Sequence, residues 1–364
     1  MLAVLVTVVV ILLAGGYLSS ALQRIKPASS LPADCSNSEV DFLGYSDSLD
    51  EQRYKGVKAG GLSGLTYDPK RKLYYALADG GAEDVPTRFY TLSVPLEQGR
   101  LTDPIMLDVT ILRDPKGKPF TGANSDSEAI YLTSERELLV ASETEPSIRR
   151  FSLEGRFLTK LPVPQKFLTV PKGHARPNQT FESLALSPSG RTLYTANEQS
   201  LFVDEARSFP RKLLERLINT PERVRVLSYT DSGSSSFQPS KEFFYRPERG
   251  SEISELVALP KRELLVLERW GRRIFRVSLD GAENVAGEEN LAASNTAPLE
   301  KEQLVDVNDD CPLPSDDNGS FGLLEGMTLG PELPGKQQTL VTLSDDNYST
   351  SLKTRVIVLS IRLR

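Results

Sequence analysis

The sequence predicts an all-β fold, a β-propeller, and three observations carry that prediction. One unit recurs along the chain: a short extended run opened by an acid or a serine, a tight turn, a second extended run and a terminal carboxylate. Its clearest copy is Phe181 to Glu198, where Leu184 and Leu186 precede a Ser-Pro-Ser-Gly turn and Leu193 and Tyr194 follow it, the signature of a β-hairpin. Finally, the copies lie tens of residues apart, and the one long helical period falls at 207–225. Short strands at such a spacing mean a propeller rather than a β-helical solenoid, whose repeats are much shorter.

Five repeats are countable. Ser63 leads into KLYYALAD, ending at Asp79; Glu128 into RELLVASE, ending at Glu143; Glu182 into RTLYTANE, ending at Glu198. Glu255 leads into RELLVLE, ending at Glu268, and Glu325 into QTLVTLSD, ending at Asp345. The steps from Ser63 through Glu128, Glu182 and Glu255 to Glu325 are 65, 54, 73 and 70 residues. Further strands are expected in PTRFYTLSVPL, IMLDVTILRD, SIRRFSLEG, FLTKLPVP, RVLSYTD, KEFFYRPE and RIFRVSLDG, all rich in β-branched and aromatic residues. Residues 39–49 and 355–363 read as strands that pair within one blade and close the ring, removing the exposed edges of an open sheet. The segment 207–225 reads as a short amphipathic insertion on the rim, and 231–240 and 287–303 as loops.

The chain has 364 residues, 43 Lys and Arg against 49 Asp and Glu, and a formal charge of −6, which suits one large β domain at 35–364. That balance gives no footprint for nucleic acid. The single histidine, His174, removes most zinc sites and most histidine-based catalysis. Residues 1–26 read as a signal peptide or an N-terminal membrane anchor, because 2–14 are an unbroken apolar run, and 27–34 read as a linker. The domain is therefore expected outside the cytoplasm (periplasmic, secreted or membrane-anchored), as a monomer whose membrane contact, if any, runs through residues 2–22. Cys35 and Cys311 have neither a CxxC partner nor a nearby histidine. In an exported protein they are expected to form one disulfide, with two buried thiols as the alternative.

The innermost strand of each blade lines the central channel, so equivalent residues of successive repeats converge there. The repeat alignment places Glu128, Glu182, Glu255 and Glu325, with Ser63, at one position, and Asp79, Glu143, Glu198, Glu268 and Asp345 at a second. Nine carboxylates facing one space repel unless cations or arginines neutralise them. Oxygen ligands without His or Cys point to Ca2+, less to magnesium. An equally open reading is that each acid caps a turn or pairs with an arginine. Gly61-Leu62-Ser63-Gly64-Leu65 fails the G-x-S-x-G spacing at Leu65, which leaves a Ser63–His174 esterase dyad as a minor alternative.

Several ordered motifs, GGLSGLTYD with LYYALAD, PTRFYTL, DSEAI with LLVASE, ARPNQTFESLALSPSGRTLYTANE, SELVAL with LLVLER, and LEGMTLGP with SDDNY, resemble the phytase-like domain family, "esterase-like activity of phytase", from about residue 40 to the C-terminus. The resemblance implies an exported β-propeller, six-bladed if it follows the calcium-dependent β-propeller phytases. It also implies catalytic roles for Glu128, Glu182 and Glu325, substrate contacts through Arg88, Arg176 and Asn178, and a part for Asp345-Asp346-Asn347. The chain has Asp126-Ser127-Glu128-Ala129 where the family often has Asp-Pro-Glu-Gly, and Ala78-Asp79-Gly80 where Ser-Asp-Asp is common. The function expected is calcium-dependent hydrolysis of a small phosphorylated or ester substrate. Its rivals are a non-catalytic propeller binding a ligand or protein outside the cytoplasm, and a carboxyl esterase.

Overall fold

The computed structural model describes residues 39–50, 52–79, 85–205, 222–233, 236–308, 310–311, 313, 322–335 and 337–363. Among them, five four-stranded antiparallel sheets form the blades of a five-bladed β-propeller, and there is no α-helix. The five countable repeats are the five blades; a sixth, which the resemblance to phytases allowed, is not present among the described residues.

Blade 1 runs from the channel outward as Leu62–Asp68, Leu73–Ala78, Arg88–Ser93 and Ile105–Ile111. Blade 2 is Ser127–Leu132, Glu137–Ser142, Ser147–Ser152 and Phe157–Lys160, and blade 3 is Ala185–Leu186, Thr192–Ala196, Val224–Asp231 and Phe237–Tyr245. Blade 4 is Ile253–Leu259, Glu263–Glu268, Arg273–Ser278 and Lys301–Asp306. Blade 5 takes three strands from the C-terminus, Leu323–Leu333, Gln337–Asp345 and Val356–Arg362, and its outermost strand, Val40–Ser46, from the beginning of the domain. Val40 lies opposite Ile361 and Ser46 opposite Val356, so the two ends of the domain share one blade and the ring closes.

The second strands explain why the repeats read as continuous apolar runs: each is buried on both faces. Along Leu73–Ala78, residues Tyr74, Ala76 and Ala78 pack toward Val341, Leu343, Val356 and Val358 of blade 5, whereas Tyr75 and Leu77 pack toward Leu138 and Val140 of blade 2. Leu139 and Ala141 then face Leu193, Leu227 and Tyr229 of blade 3, and Tyr194 and Ala196 face Leu264 and Val266 of blade 4. Successive residues therefore belong to different inter-blade layers, as a period-two strand requires. The Ser187–Gly190 turn that joins the first two strands of blade 3 closes with Gly190 N–H on Ser187 C=O at 2.8 Å, with Gly190 at φ +71°.

Two expectations need correction. Lys301–Asp306 is the outer strand of blade 4, although half of it falls in a segment expected as loop; Leu304 and Val305 are buried and Lys301 pairs with Glu268 at 2.8 Å. Phe237–Tyr245 likewise begins inside the expected loop 231–240. Of the insertion expected at 207–225, residues 207–221 lie outside the described residues, and Val224 and Arg225 begin a strand. There the buried Arg225 binds Asp204 through two hydrogen bonds of 2.7 Å and Glu242 at 2.8 Å. The expected membrane segment, the linker and Cys35 also lie outside the described residues, so the expected bridge does too; Cys311 is buried. No helix among the described residues is long and apolar enough to cross a membrane.

Candidate functional site

Each inner strand meets its neighbours around the axis, and in four blades it carries a β-bulge near its start. The register skips one residue between Leu62 and Gly64, between Ser127 and Ala129, between Ile253 and Glu255, and between Leu324 and Gly326. The bulged residues are thus Ser63, Glu128, Ser254 and Glu325. In blade 3 the bridge Phe181–Asn197 puts Glu182 in the same place. A bulge re-aims one side chain without ending the strand, and here it presents one residue per blade at the mouth of the channel.

The ladder also defines a second position, the residue following the second strand's partner of the pre-bulge residue. It is Asp79, Glu143, Glu198, Arg269 and Asp345 in blades 1 to 5. The residue before the pre-bulge residue gives a third: Gly61, Asp126, Thr180, Glu252 and Leu323. In blades 1 to 4 the backbone repeats itself at this point, with the second-position N–H donating to the third-position C=O at 2.8, 2.8, 2.8 and 2.9 Å.

Blade 4 therefore departs from the repeat alignment expected from sequence. Its channel residues are Ser254 and Arg269, each one residue away from Glu255 and Glu268. Glu268 turns into the blade, where Tyr245 Oη donates to it at 2.6 Å, Lys301 Nζ at 2.8 Å and the Glu248 N–H at 2.8 Å. Glu255 is buried and accepts from the Leu184 and Leu256 N–H groups at 3.1 and 2.9 Å. The inner strand of blade 3 is only Ala185–Leu186, so Glu255 satisfies a backbone donor that the shortened ladder leaves over. Burial holds its carboxyl well above the usual range, against these two N–H groups.

The channel mouth thus gathers Asp79, Asp126, Glu128, Glu143, Glu182, Glu198, Glu325 and Asp345 around one cation. Arg269 binds Glu182 through Nη2, Glu198 through Nη1 at 2.7 Å, and lies with Nε 3.3 Å from Glu325. Burial works against its charge, but Glu325, Glu182 and Glu198 outweigh this and raise its pKa. Burial pushes Glu143 up to about 8, aided by Glu198 and opposed by the Thr180 N–H. Glu325 is pushed to about 8 and Glu198 to about 7 by burial, each against the pull of Arg269, and Asp345 to about 6. Glu128 rises well above the usual range through burial and the charges of Glu182, Glu143 and Asp126.

Only blade 2 carries an acid at all three equivalent positions. Oxygens of Asp126, Glu128 and Glu143 lie within 4.8 Å of one another. Beside them Glu182, only 4% exposed, buries an oxygen, Oε2, that has no hydrogen-bond partner. Hard oxygen donors, repelling carboxyls and an unsatisfied buried oxygen at one point fit a divalent cation such as calcium.

The remaining residues expected at the site are placed elsewhere or already engaged. Arg88 is buried, with its donors on Tyr90 Oη at 2.7 Å, Pro86 C=O at 3.0 Å and Tyr348 Oη at 3.2 Å. Asp346 accepts from the Gly61 and Tyr348 N–H groups. Arg176 lies over the Phe202 ring and binds Glu205, and Asn178 is exposed with φ +55°. Ser63 Oγ donates to Ser127 C=O at 2.8 Å, bracing blade 1 to blade 2, and among the described residues no hydrogen bond joins it to the exposed His174. Asp126 and Ser254 are the residues that the expected site omitted, and of the arginines that the sequence offers for an anionic substrate, Arg269 is the one held among the acids of the mouth. The signal for Arg269 is in the sequence: Arg262-Glu263-Leu264-Leu265-Val266 repeats Arg136-Glu137-Leu138-Leu139-Val140, and that alignment sets Arg269 against Glu143.

No curated protein matches the chain significantly. Among solved structures, it is similar to a glucose dehydrogenase (14% identity, 86% of this chain and 84% of that one, TM-score 0.37). It is likewise similar to the periplasmic gluconolactonase of Pseudomonas aeruginosa (14% identity, 90% and 93%, TM-score 0.35). A family model described as phytase-like, esterase-like activity of phytase, matches residues 57–348. With most of its length matched and its strands closed into a propeller with an acidic mouth, the chain belongs to the phytase-like family of propellers with hydrolase-type function.

Proposed function

We propose that the protein hydrolyses phosphate esters at this mouth, with a divalent cation, calcium in the first instance, held by Asp126, Glu128 and Glu143. The observation that carries the reading is the triply acidic blade 2, with Glu182 Oε2 unpartnered beside it. A bound cation supplies polarisation of the phosphoryl oxygens and a more acidic water. The chain's own residues do the rest. Arg269, anchored on Glu182, Glu198 and Glu325, sets positive charge on the far side of the mouth, where it orients and neutralises an anionic group. Glu198, held near 7, is matched to taking a proton from water at neutral pH. In this reading the apolar run at 2–14 directs the domain outside the cytoplasm, where calcium is plentiful and the substrate is a small phosphorylated molecule met by a monomer.

The test is turnover of p-nitrophenyl phosphate by the full chain with calcium and with a chelator. Calcium-dependent turnover that disappears in Glu128→Gln supports the reading; turnover that ignores both chelation and the substitution overturns it. One observation favours a second reading, a binding propeller without catalysis: Arg269 already compensates three of the carboxylates, so the ring can serve structure or ligand capture. Ligand binding in a folded sample that turns over no ester would select it.

A further inference from the structure

The chain contains one tryptophan, and it stands beside the one arginine of the acidic mouth. Trp270 is 58% exposed, the most exposed large apolar side chain among those described. It occupies the rim position that follows the second channel position, equivalent to Thr144, Gln199 and Asp346 in blades 2, 3 and 5. Its ring is nevertheless held. The indole N–H donates to Glu252 Oε2 at 2.7 Å, and the other oxygen of Glu252 accepts from the Gln199 side chain. The backbone beneath is a tight turn, with Arg269 N–H on Glu252 C=O at 2.9 Å, Arg272 N–H on Arg269 C=O at 3.1 Å, and Arg272 left-handed at φ +49°. Glu252 is the blade-4 counterpart of Asp126. The acid that helps to form the cation site in blade 2 here fixes a tryptophan.

We propose that Trp270 is the specificity-determining residue of the site, a flat apolar platform for the alcohol portion of the substrate. The proposal rests on the phosphate-ester reading. With the phosphate between the blade 2 acids and Arg269, the adjoining group extends over the rim at Arg269's neighbour. A rigid exposed indole favours a ring-bearing, planar alcohol over a small or acyclic one, because a ring face both stacks and removes apolar area from water. The residue acts on binding of the leaving group and takes no part in proton transfer.

The test uses the full chain with calcium and two ligands that are not turned over, inorganic phosphate and phenylphosphonate, which differ by the ring. Phenylphosphonate is expected to quench the single tryptophan's fluorescence and, by calorimetry, to bind about fivefold more tightly than phosphate, the size of one aromatic stacking contact. Trp270→Ala should abolish that preference and leave phosphate affinity unchanged, and Trp270→Phe should keep it. In turnover, Trp270→Ala should raise KM for p-nitrophenyl phosphate with kcat little changed and leave glycerol phosphate unaffected. A preference for the ring that survives in Trp270→Ala, or phosphate binding with no ring preference in the unsubstituted protein, overturns the platform alone. Binding of neither anion overturns the phosphate-ester reading and the platform with it.

Discussion

Arg269 Nη1 lies 2.7 Å from Glu198 Oε1, a contact that joins blade 4 to blade 3 across the mouth of the channel. Arg269 is the only basic residue at the ten channel positions defined by the bulges and their partners, and it touches acids from two other blades. Replacing it with glutamine leaves Glu182, Glu198 and Glu325 facing one another without compensation. A loss of about 3–5 kcal/mol is expected, the range for breaking a buried pair. Urea denaturation of Arg269→Gln measures it; a loss below about 1 kcal/mol would show that the carboxyls simply take up protons instead.

The same crowding sets a pH dependence. Folded Glu325, Glu198 and Asp345 hold their protons to about 8, 7 and 6, above the usual carboxylate range of an unfolded chain. Between those ranges the folded state binds more protons than the unfolded one, so its stability falls as pH rises. The stability is fully present below about pH 4 as far as these groups go, and declines up to about pH 8. Chelated protein should therefore melt at a lower temperature at pH 8.5 than at pH 5.5. Calorimetry at the two values checks the sign, and a higher melting temperature at pH 8.5 would contradict it.

Calcium should reverse that trend, since a cation binds the deprotonated carboxylates and releases their protons. At a free concentration of about 100 Kd it should stabilise the protein by about 2.7 kcal/mol. Asp126→Asn should lose most of this gain, whereas Glu252→Gln, at the equivalent position of blade 4, should retain it. Thermal melts with and without calcium separate the two variants, and equal behaviour would remove blade 2 from its special place.

Ser63 and Glu268 act in the framework: Ser63 stands at a bulge, but its hydroxyl is engaged by the Ser127 C=O, and Glu268 turns into blade 4. Ser63→Ala should leave any ester turnover unchanged and cost about 1 kcal/mol for the lost bond to Ser127 C=O. Glu268→Ala leaves the buried Tyr245 hydroxyl without its acceptor and Lys301 with Glu248 alone, and should cost about 1–3 kcal/mol while calcium binding persists. Assays of turnover, calcium binding and urea midpoint on the same two proteins decide both points.

The propeller was legible because its second strands are apolar on both faces, and runs such as Leu138 to Ala141 or Leu264 to Leu267 stand out at any register. Ring closure was legible from the two terminal strands. The outer strand Lys301–Asp306 was not, because three of its six residues are polar or charged and exposed or half-buried, which reads as loop. At the site, the acids at the two repeat positions of blades 1, 2, 3 and 5 were legible, but Asp126, one position outside the repeat, was not, and blade 4 was misaligned by one residue. Glu255 and Glu268 are acids next to the right places, and in a strand one residue changes the face. Only the bulge, which no propensity announces, shows that Ser254 and Arg269 take the two channel positions of blade 4, where Ser254 Oγ donates to Leu324 C=O and Arg269 meets the acids.

The shared blade at the ends of the domain has a consequence for how the protein is made. Val40–Ser46 is among the first segments of the domain to be synthesised, and its partner Val356–Arg362 is among the last. Blades 1 to 4 consist of neighbouring strands and can pair as they emerge, but Val40–Ser46 must wait, unpaired, until nearly the whole domain exists. The ring can lock only once Val356–Arg362 has been made, so until then this strand edge is open to wrong partners, and the arrival of Val356–Arg362 decides when that interval ends.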